Sequence, residues 1–354
     1  MRRLYIPRER EVEIQDIPDT EPAEGEIKVK MSYCGICGSD VHAYKGLHPF
    51  VPLPATPGHE GSGIVTALGP GAGDSDSRIK VGDKVTFEPN LVCGECHNCR
   101  IGRYNICENL KVMGCQSHGM LQDTFVAPAG KVVKLPSDMS LKDAALTEPL
   151  AVGLHAVRRS GIQVGFNVAI IGAGTIGLSV LQFAHLSGAG NIIVSDLIDK
   201  RLEIAKQLGA THVVNPKEAP LHEYVKNAKD ILGDAGIDIV FECVGVEASM
   251  NESLKVVRKG GTIMILGVFG KPVNNFNAAW VQDREFNIKG SLMYTMRDIK
   301  DTITAIHDGR VKVTPMITSV VPLDDGSKAF EIADEDAANQ VKVLVEINPS
   351  KGEG

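Results

Sequence analysis

Apolar and polar positions change their rhythm near residue 151. Before it, short β-type runs at Glu26–Met31, Gly63–Ala67, Lys80–Phe87 and Lys131–Leu135 stand between turn dipeptides rich in Gly and Pro, which predicts a mainly β lobe over residues 1–150. After it, the strand candidates Asn167–Ile171, Asn191–Ser195, His212–Val214, Ile237–Glu242 and Thr262–Leu266 alternate with amphipathic helical stretches. That order predicts a parallel sheet with crossover helices over 151–288. Beyond about Lys289 the pattern is mixed and ends in the strand candidate Val341–Ile347, so 289–354 is expected to return to the first lobe. The fold class expected is α/β, a doubly wound parallel sheet beside a β-rich domain. The polar, Gly-rich stretch Gly69–Arg78 reads as a solvated hairpin connection, and the acidic stretch Glu331–Asp336 as a solvated helix face or loop.

Composition narrows the class. A chain of 354 residues exceeds what one core usually serves, so two domains are the default. Hydrophobic content of 43% with charged content of 23% fits a soluble globular protein, and no apolar run approaches membrane-spanning length. The net charge of -7 argues against a general nucleic-acid binder. The first residues, Met-Arg-Arg-Leu-Tyr-Ile-Pro-Arg-Glu-Arg, carry no apolar segment for secretion, which favours a cytoplasmic chain with reduced thiols.

Reduced thiols give the cysteine spacing its meaning. Cys93, Cys96, Cys99 and Cys107 stand as C-x2-C-x2-C-x7-C, half of the eight cysteines within fifteen residues. Four thiolates so placed can enclose one tetrahedral zinc ion, and disulfides are the alternative that a reducing compartment disfavours. An all-sulfur shell leaves no position for a substrate, so such a metal fixes a lobe and leaves the chemistry to other residues.

The Gly-rich turn Gly172-Ala-Gly174-Thr175-Ile176-Gly177 follows an apolar strand candidate and opens the apolar helix candidate Leu178–Leu186. Gly172 permits the tight turn, Gly174 lets backbone approach a pyrophosphate, and Gly177 lets helix pack close to strand. The helix N-terminus then offers free N–H groups to the phosphates. Asn191–Ser195 is followed by Asp196, at the distance where a carboxylate binds the adenosine-ribose hydroxyls and repels a 2′-phosphate. The expected cofactor is NAD, with Lys200 and Arg201 the nearby cations that oppose this preference.

A second metal position is offered by Cys37, in Gly-Ile-Cys-Gly-Ser-Asp-Val-His, and by His59-Glu60, in Gly-His-Glu-Gly. Thiolate, imidazole and carboxylate suit zinc while leaving room for water or an alcohol oxygen. Taken singly, Cys37 also fits a buried core cysteine and His59 a loop histidine.

Together, Gly35–His42, Gly58–Glu60, Cys93–Cys107, Thr147-Glu148-Pro149-Leu150 and Gly172–Gly177, in that order, resemble the zinc-dependent medium-chain dehydrogenases, and most of all their sorbitol, or polyol, branch. The resemblance spans essentially the whole chain. It implies a β-rich, GroES-like catalytic domain closed by the C-terminal segment, a Rossmann domain, and an active site in the cleft between them. Two zinc ions per chain, NAD, a small alcohol or ketone substrate and a homo-oligomer, dimer or tetramer, are implied with it. Carried over by position, Cys37 and His59 are ligands of the catalytic zinc, and Glu60 is the third ligand or its close neighbour. Glu148 faces that zinc or its water, where the alcohol dehydrogenase branch has cysteine. Asp40 orients the ligand histidine. Ser39 and His42 lead the alcohol proton away. Cys34, Cys115 and Cys243 are expected to be small buried hydrophobes, and His155 a packed histidine.

The implied reaction is hydride transfer between NAD and a secondary alcohol/ketone pair, with a polyol or sugar alcohol as the leading substrate class. Two positions depart from the sorbitol pattern. Met293 stands where the polyol branch usually presents arginine before Tyr294, and Ala43 stands where sorbitol enzymes place a tyrosine, with Tyr44 one residue later. Shorter diols such as 2,3-butanediol, cyclic polyols, sugar phosphates and threonine remain alternatives. So do a metal-independent reductase on the same fold and a fold-only protein without turnover.

Overall fold

The computed structural model describes residues 1–74 and 79–349; of the Gly69–Arg78 stretch, Ser75–Arg78 lie outside the described residues. The chain forms two compact units. One comprises Met1–Glu148, Thr295–Gly309 and Ile317–Gly354, the other Pro149–Tyr294 and Arg310–Met316.

The first unit is built on a strand that Val, Ile and Met make apolar over most of its length, Glu26–Ile36. It pairs antiparallel with Glu60–Leu68, with Thr124–Pro128 and with Lys342–Glu346. Sheet order runs Ile317–Pro322, Lys342–Glu346, Glu26–Ile36, Glu60–Leu68, Lys84–Phe87, Val132–Lys134. The C-terminal strand therefore lies directly beside the one that ends at Cys37. Ile27, Val29 and Met31 are wholly buried, and Phe87 meets Phe125 edge to face at 5.6 Å between ring centroids. The acidic stretch Glu331–Asp336 overlaps the end of the helix Gly326–Glu335, whose Ala329 and Phe330 are buried. Its acids lie on the half-buried and exposed positions, as expected of a solvated face.

The second unit contains a six-stranded, all-parallel sheet in the order His212–Val214, Ile192–Ser195, Val168–Ile171, Ile237–Glu242, Val257–Ile265, Asn287–Gly290. The strands Val168–Ile171 and Ile237–Glu242 are buried throughout, which explains why they are mostly apolar, with Asp238 and Glu242 the exceptions in the second. Strand order reverses between these two strands, so a crevice opens beyond their carboxyl ends, at Gly172 and Cys243. No helix among the described residues is long and apolar enough to cross a membrane.

Candidate active site and metal centres

Cys37 ends the central strand and caps the helix Gly38–Tyr44, while His59 and Glu60 open the neighbouring strand Glu60–Leu68. Pairing of Gly35 with Glu60 brings the two segments together. One donor atom each from Cys37, His59 and Glu60 lies within 4.8 Å of the others. Glu148, in the first turn of the helix Thr147–Ser160, is buried but stands outside this group of three. Ser39 is half-buried and His42 exposed on the helix Gly38–Tyr44.

Asp40 faces the His59 imidazole and also binds the backbone. Its Oδ1 lies 3.8 Å from His59 Nδ1, beyond hydrogen-bond reach, and that nitrogen has no partner. Instead the carboxylate accepts Cys37 N–H at 2.9 Å and Gly58 N–H at 3.1 Å. One buried side chain thus ties the backbone before one candidate ligand to the backbone of the other. Burial raises the Asp40 pKa, with the charge of His59 opposing. For His59, burial acts downward, but Asp40 and the thiols of Cys115 and Cys37 outweigh it, and the net shift is strongly upward. Surroundings that favour a proton on the imidazole also favour a divalent cation. Cys115 is half-buried and packs against the cluster of Ala43, Val51 and Ala55.

Glu60 is wholly buried and meets Lys342, also buried, from the strand Lys342–Glu346. Lys342 Nζ donates to its two carboxylate oxygens at 2.7 and 2.6 Å and to Ile36 O at 3.1 Å. Burial alone would lower the Lys342 pKa; Glu60 and then Cys37 reverse this, and the net direction is upward. The pair needs Gly35, because a Cβ there would stand 1.9 Å from Glu60 Oε2.

The four-cysteine segment folds as a separate lobe over a short pairing of Asn90–Leu91 with Lys111–Val112. Its Sγ atoms lie 3.5 Å (Cys93 to Cys107), 3.9 Å (Cys96 to Cys107) and 4.0 Å (Cys93 to Cys99) apart. A tetrahedron of sulfurs about 2.3 Å from zinc has edges of about 3.8 Å, so the thiols fit the ion. Backbone N–H groups of Cys96 and Cys93 point at Cys93 Sγ and Cys107 Sγ, each at 3.4 Å. Backbone donors of Glu95 and Cys96 draw the Cys93 thiol down to about 6, whereas burial and the Cys96 thiol push Cys99 up to about 12. Four thiolates this close ionise together only around a cation. Tyr104 fastens the lobe, donating to Glu88 Oε1 at 2.7 Å, and Lys131 Nζ holds Glu88 Oε2 at 2.6 Å.

In the second unit, Gly172 adopts φ +98°, and Gly174 precedes the helix Thr175–Leu186, leaving Thr175 and Ile176 half-buried at its start. A Cβ on Gly177 would meet Gly172 O at 1.8 Å, the close helix-to-strand approach that its spacing predicts. Asp196 Oδ2 accepts Ala173 N–H at 2.7 Å and Oδ1 accepts Ile198 N–H at 2.9 Å, so the acid fixes the Gly-rich turn as well as closing its own strand. Arg201 approaches Asp196 Oδ2 to 4.0 Å. Sequence reasoning missed Glu242, which ends the central strand and accepts Val244 N–H at 2.9 Å, Gly245 N–H at 2.8 Å and Ser249 Oγ–H at 2.6 Å. Both Tyr44 and Tyr294 are buried, Tyr44 against Phe330 at 5.5 Å between ring centroids.

A GroES-like alcohol dehydrogenase domain matches residues 23–137, and a zinc-binding dehydrogenase domain matches 175–308. The chain belongs to the zinc-dependent medium-chain dehydrogenases. It is 36% identical to the uncharacterised zinc-type alcohol dehydrogenase-like protein YdjJ of Escherichia coli, over 98% of either chain. With the sorbitol dehydrogenase of Bacillus subtilis it shares 33% identity over 98% of this chain and 97% of the other, and it resembles that polyol branch. Two solved structures superpose closely. One is a zinc-binding dehydrogenase of Sinorhizobium meliloti, bound to NADP, with TM-score 0.90, 32% identity and 98% of each chain covered. The other is an alcohol dehydrogenase of E. coli in complex with NADH, with TM-score 0.89, 27% identity and 98% and 99% covered. This medium-chain dehydrogenase is accordingly an oxidoreductase that works with zinc and a nicotinamide cofactor on a small molecule.

Proposed function

We propose that this medium-chain dehydrogenase interconverts a secondary alcohol and its ketone with NAD, acting on a polyol or sugar alcohol, as a cytosolic homo-oligomer. The observation that carries the reading is the convergence of Cys37, His59 and Glu60 within 4.8 Å at the end of the central strand. That donor set suits a catalytic zinc, and the Cys93, Cys96, Cys99, Cys107 set suits a structural one. When bound at Cys37, zinc would supply Lewis-acid polarisation of the alcohol oxygen. Ser39 takes the hydroxyl proton and passes it to His42, whose exposure lets it discharge to solvent. Lys342 fixes the Glu60 carboxylate through two hydrogen bonds. Asp40 holds the Cys37 and His59 segments in register. Sorbitol itself is the less suitable member of the class, because Met293 and Ala43 replace the polar side chains that the sorbitol pattern presents.

A panel of hexitols, pentitols, cyclitols, vicinal diols and threonine with NAD, read by absorbance of the reduced cofactor, tests this. Turnover should be highest with a polyol other than sorbitol. A wholly inactive panel, or sorbitol far above all others, would count against it. Glu148→Gln should lower kcat more than it raises KM, because a carboxylate acting on the reaction path matters chiefly in the transition state. Steady-state kinetics on the best substrate show which parameter moves.

Cofactor choice gives a further expectation. Asp196→Ala removes a ribose acceptor and a charge that repels phosphate, so the preference of kcat/KM for NAD over NADP should fall by about tenfold or more. NAD affinity should weaken as well, since Ala173 N–H loses its acceptor. An unaltered enzyme that prefers NADP would contradict this and direct attention to Arg201.

A further inference from the structure

The second unit carries a pocket of about 220 Å³, lined by Gln182, His185, Gln207, Gly209, Arg310 and Lys312 among others. Its walls are the ends of two helices, Thr175–Leu186 and Asp199–Gln207, and the segment Arg310–Met316. That segment belongs to the second unit although the residues on either side of it belong to the first. Gln182, 4% exposed, fixes it: Nε2 donates to Lys312 O at 3.2 Å, and Oε1 accepts Lys312 N–H at 2.7 Å. The His185 ring lies over Gly209, which has φ +107° and where a Cβ would stand 3.7 Å from the ring Cγ. The backbone around the pocket is therefore set, while the side chains of His185, Gln207, Arg310 and Lys312 are exposed.

The charge of the pocket is one-sided. Arg310 and Lys312 are cationic, His185 offers a ring N–H, and among the described residues no acid lines the pocket, in a chain whose net charge is -7. Basic side chains beside helix C-termini commonly serve the last carbonyls. Here backbone already serves them: Ser187 and Gly188 N–H donate to Phe183 and His185 O, and Leu208 and Ala210 N–H to Ile204 and Ala205 O. Among the described residues, neither Lys312 Nζ nor the His185 ring has a hydrogen-bond or ion-pair partner. The helix ends thus leave these side chains available to an anion.

We propose that this pocket binds a phosphate group, free or as the ester of a small molecule, on Arg310, Lys312 and His185. Two cations suit a dianion: the Arg310 fork matches a pair of phosphate oxygens, and Lys312 adds a point charge. A volume below the roughly 300–1,000 Å³ of drug-sized ligand sites limits the ester to a short one and leaves no room for a dinucleotide. The site is distinct from the Gly-rich turn, because that turn opens the helix Thr175–Leu186, whose 12 residues put its far end about 18 Å away.

Isothermal titration calorimetry tests this with glycerol 3-phosphate and inorganic phosphate as probes, sodium chloride at equal ionic strength as control, and NAD in excess to fill the Gly-rich turn. Both phosphates should bind with Kd below about 10 mM, and chloride should not bind. Lys312→Met and Arg310→Met should each weaken phosphate binding by about tenfold or more, the scale of one charge-assisted hydrogen bond. Lys312→Arg keeps the charge and should lose less. Saturating phosphate should raise the urea midpoint followed at Trp280 in the unaltered enzyme, and should not do so when both methionine substitutions are combined. Both side chains are exposed, so the variants should fold. Their Trp280 midpoints without phosphate check this, and if they have fallen, the titrations of the unaltered enzyme and Lys312→Arg decide. Absence of phosphate binding up to about 10 mM, binding that excess NAD abolishes, or full affinity in both methionine variants would overturn the assignment.

Discussion

Replacing Lys342 with methionine should destabilise the first unit by about 3–5 kcal/mol, the cost of leaving a buried carboxylate without its counter-ion. Glu60 and Lys342 are 0% and 3% exposed at the side chain, so water cannot take the lysine's place. The ammonium also donates to Ile36 O, which links the end of the central strand to the C-terminal strand. Removing both charges, as Glu60→Gln with Lys342→Met, should cost much less stability than the single change, because no unpaired charge remains. The single tryptophan, Trp280, lies in the second unit, so its fluorescence follows that unit while far-UV circular dichroism follows both. Urea titration of Lys342→Met should move the dichroism transition and leave the Trp280 transition in place. A loss below about 1 kcal/mol would show that the Glu60 charge is compensated by another group.

The second large effect is on turnover. Cys37→Ser removes the one thiolate from the catalytic donor set and should lower kcat by at least about a thousandfold, since Lewis-acid stabilisation by a bound metal is worth several kcal/mol. The fold should survive, because Cys37 contributes no core packing and Asp40 continues to hold the backbone N–H of residue 37. Cys99→Ser should do the reverse. It breaks a set of sulfurs whose metal is bound only by the folded lobe, so the cost falls on stability. The lobe's other fastenings, Tyr104 to Glu88 and Lys131 to Glu88, leave the Cys37 segment untouched. Stopped assays of kcat and urea midpoints on the two variants should therefore separate cleanly, one losing turnover and the other stability.

Much of this was legible in the chain because the signals are local. The cysteine spacing, the Gly-rich turn and the buried parallel strands are each fixed by short-range geometry, and His212–Val214 and Ile237–Glu242 fall where the apolar runs place them. What escaped notice depends on partners far apart in sequence. Lys342 meets Glu60 across 282 positions, and its only local sign is a charged residue on the face shared with Leu344 in an otherwise apolar strand. Asp40 keeps the right neighbourhood but bonds backbone rather than the imidazole, a difference of a few tenths of an ångström that spacing cannot encode. Tyr44 turns inward onto Phe330 in the core of the first unit, a packing that its place in the sequence does not announce. Cys115 carries no motif, and only the fold packs it against Ala43, Val51 and Ala55.

Metal content and turnover measured on the same preparations test the central claim, that one metal position performs the chemistry and a second holds a lobe. The unaltered enzyme should contain two zinc ions per chain, and Cys37→Ser one, with no turnover and an unchanged urea midpoint. Cys99→Ser should also contain one, with turnover kept in whatever fraction remains folded. A single zinc in the unaltered enzyme, or equal loss of folding and activity in both variants, would contradict the division between Cys37/His59/Glu60 and the four-cysteine lobe.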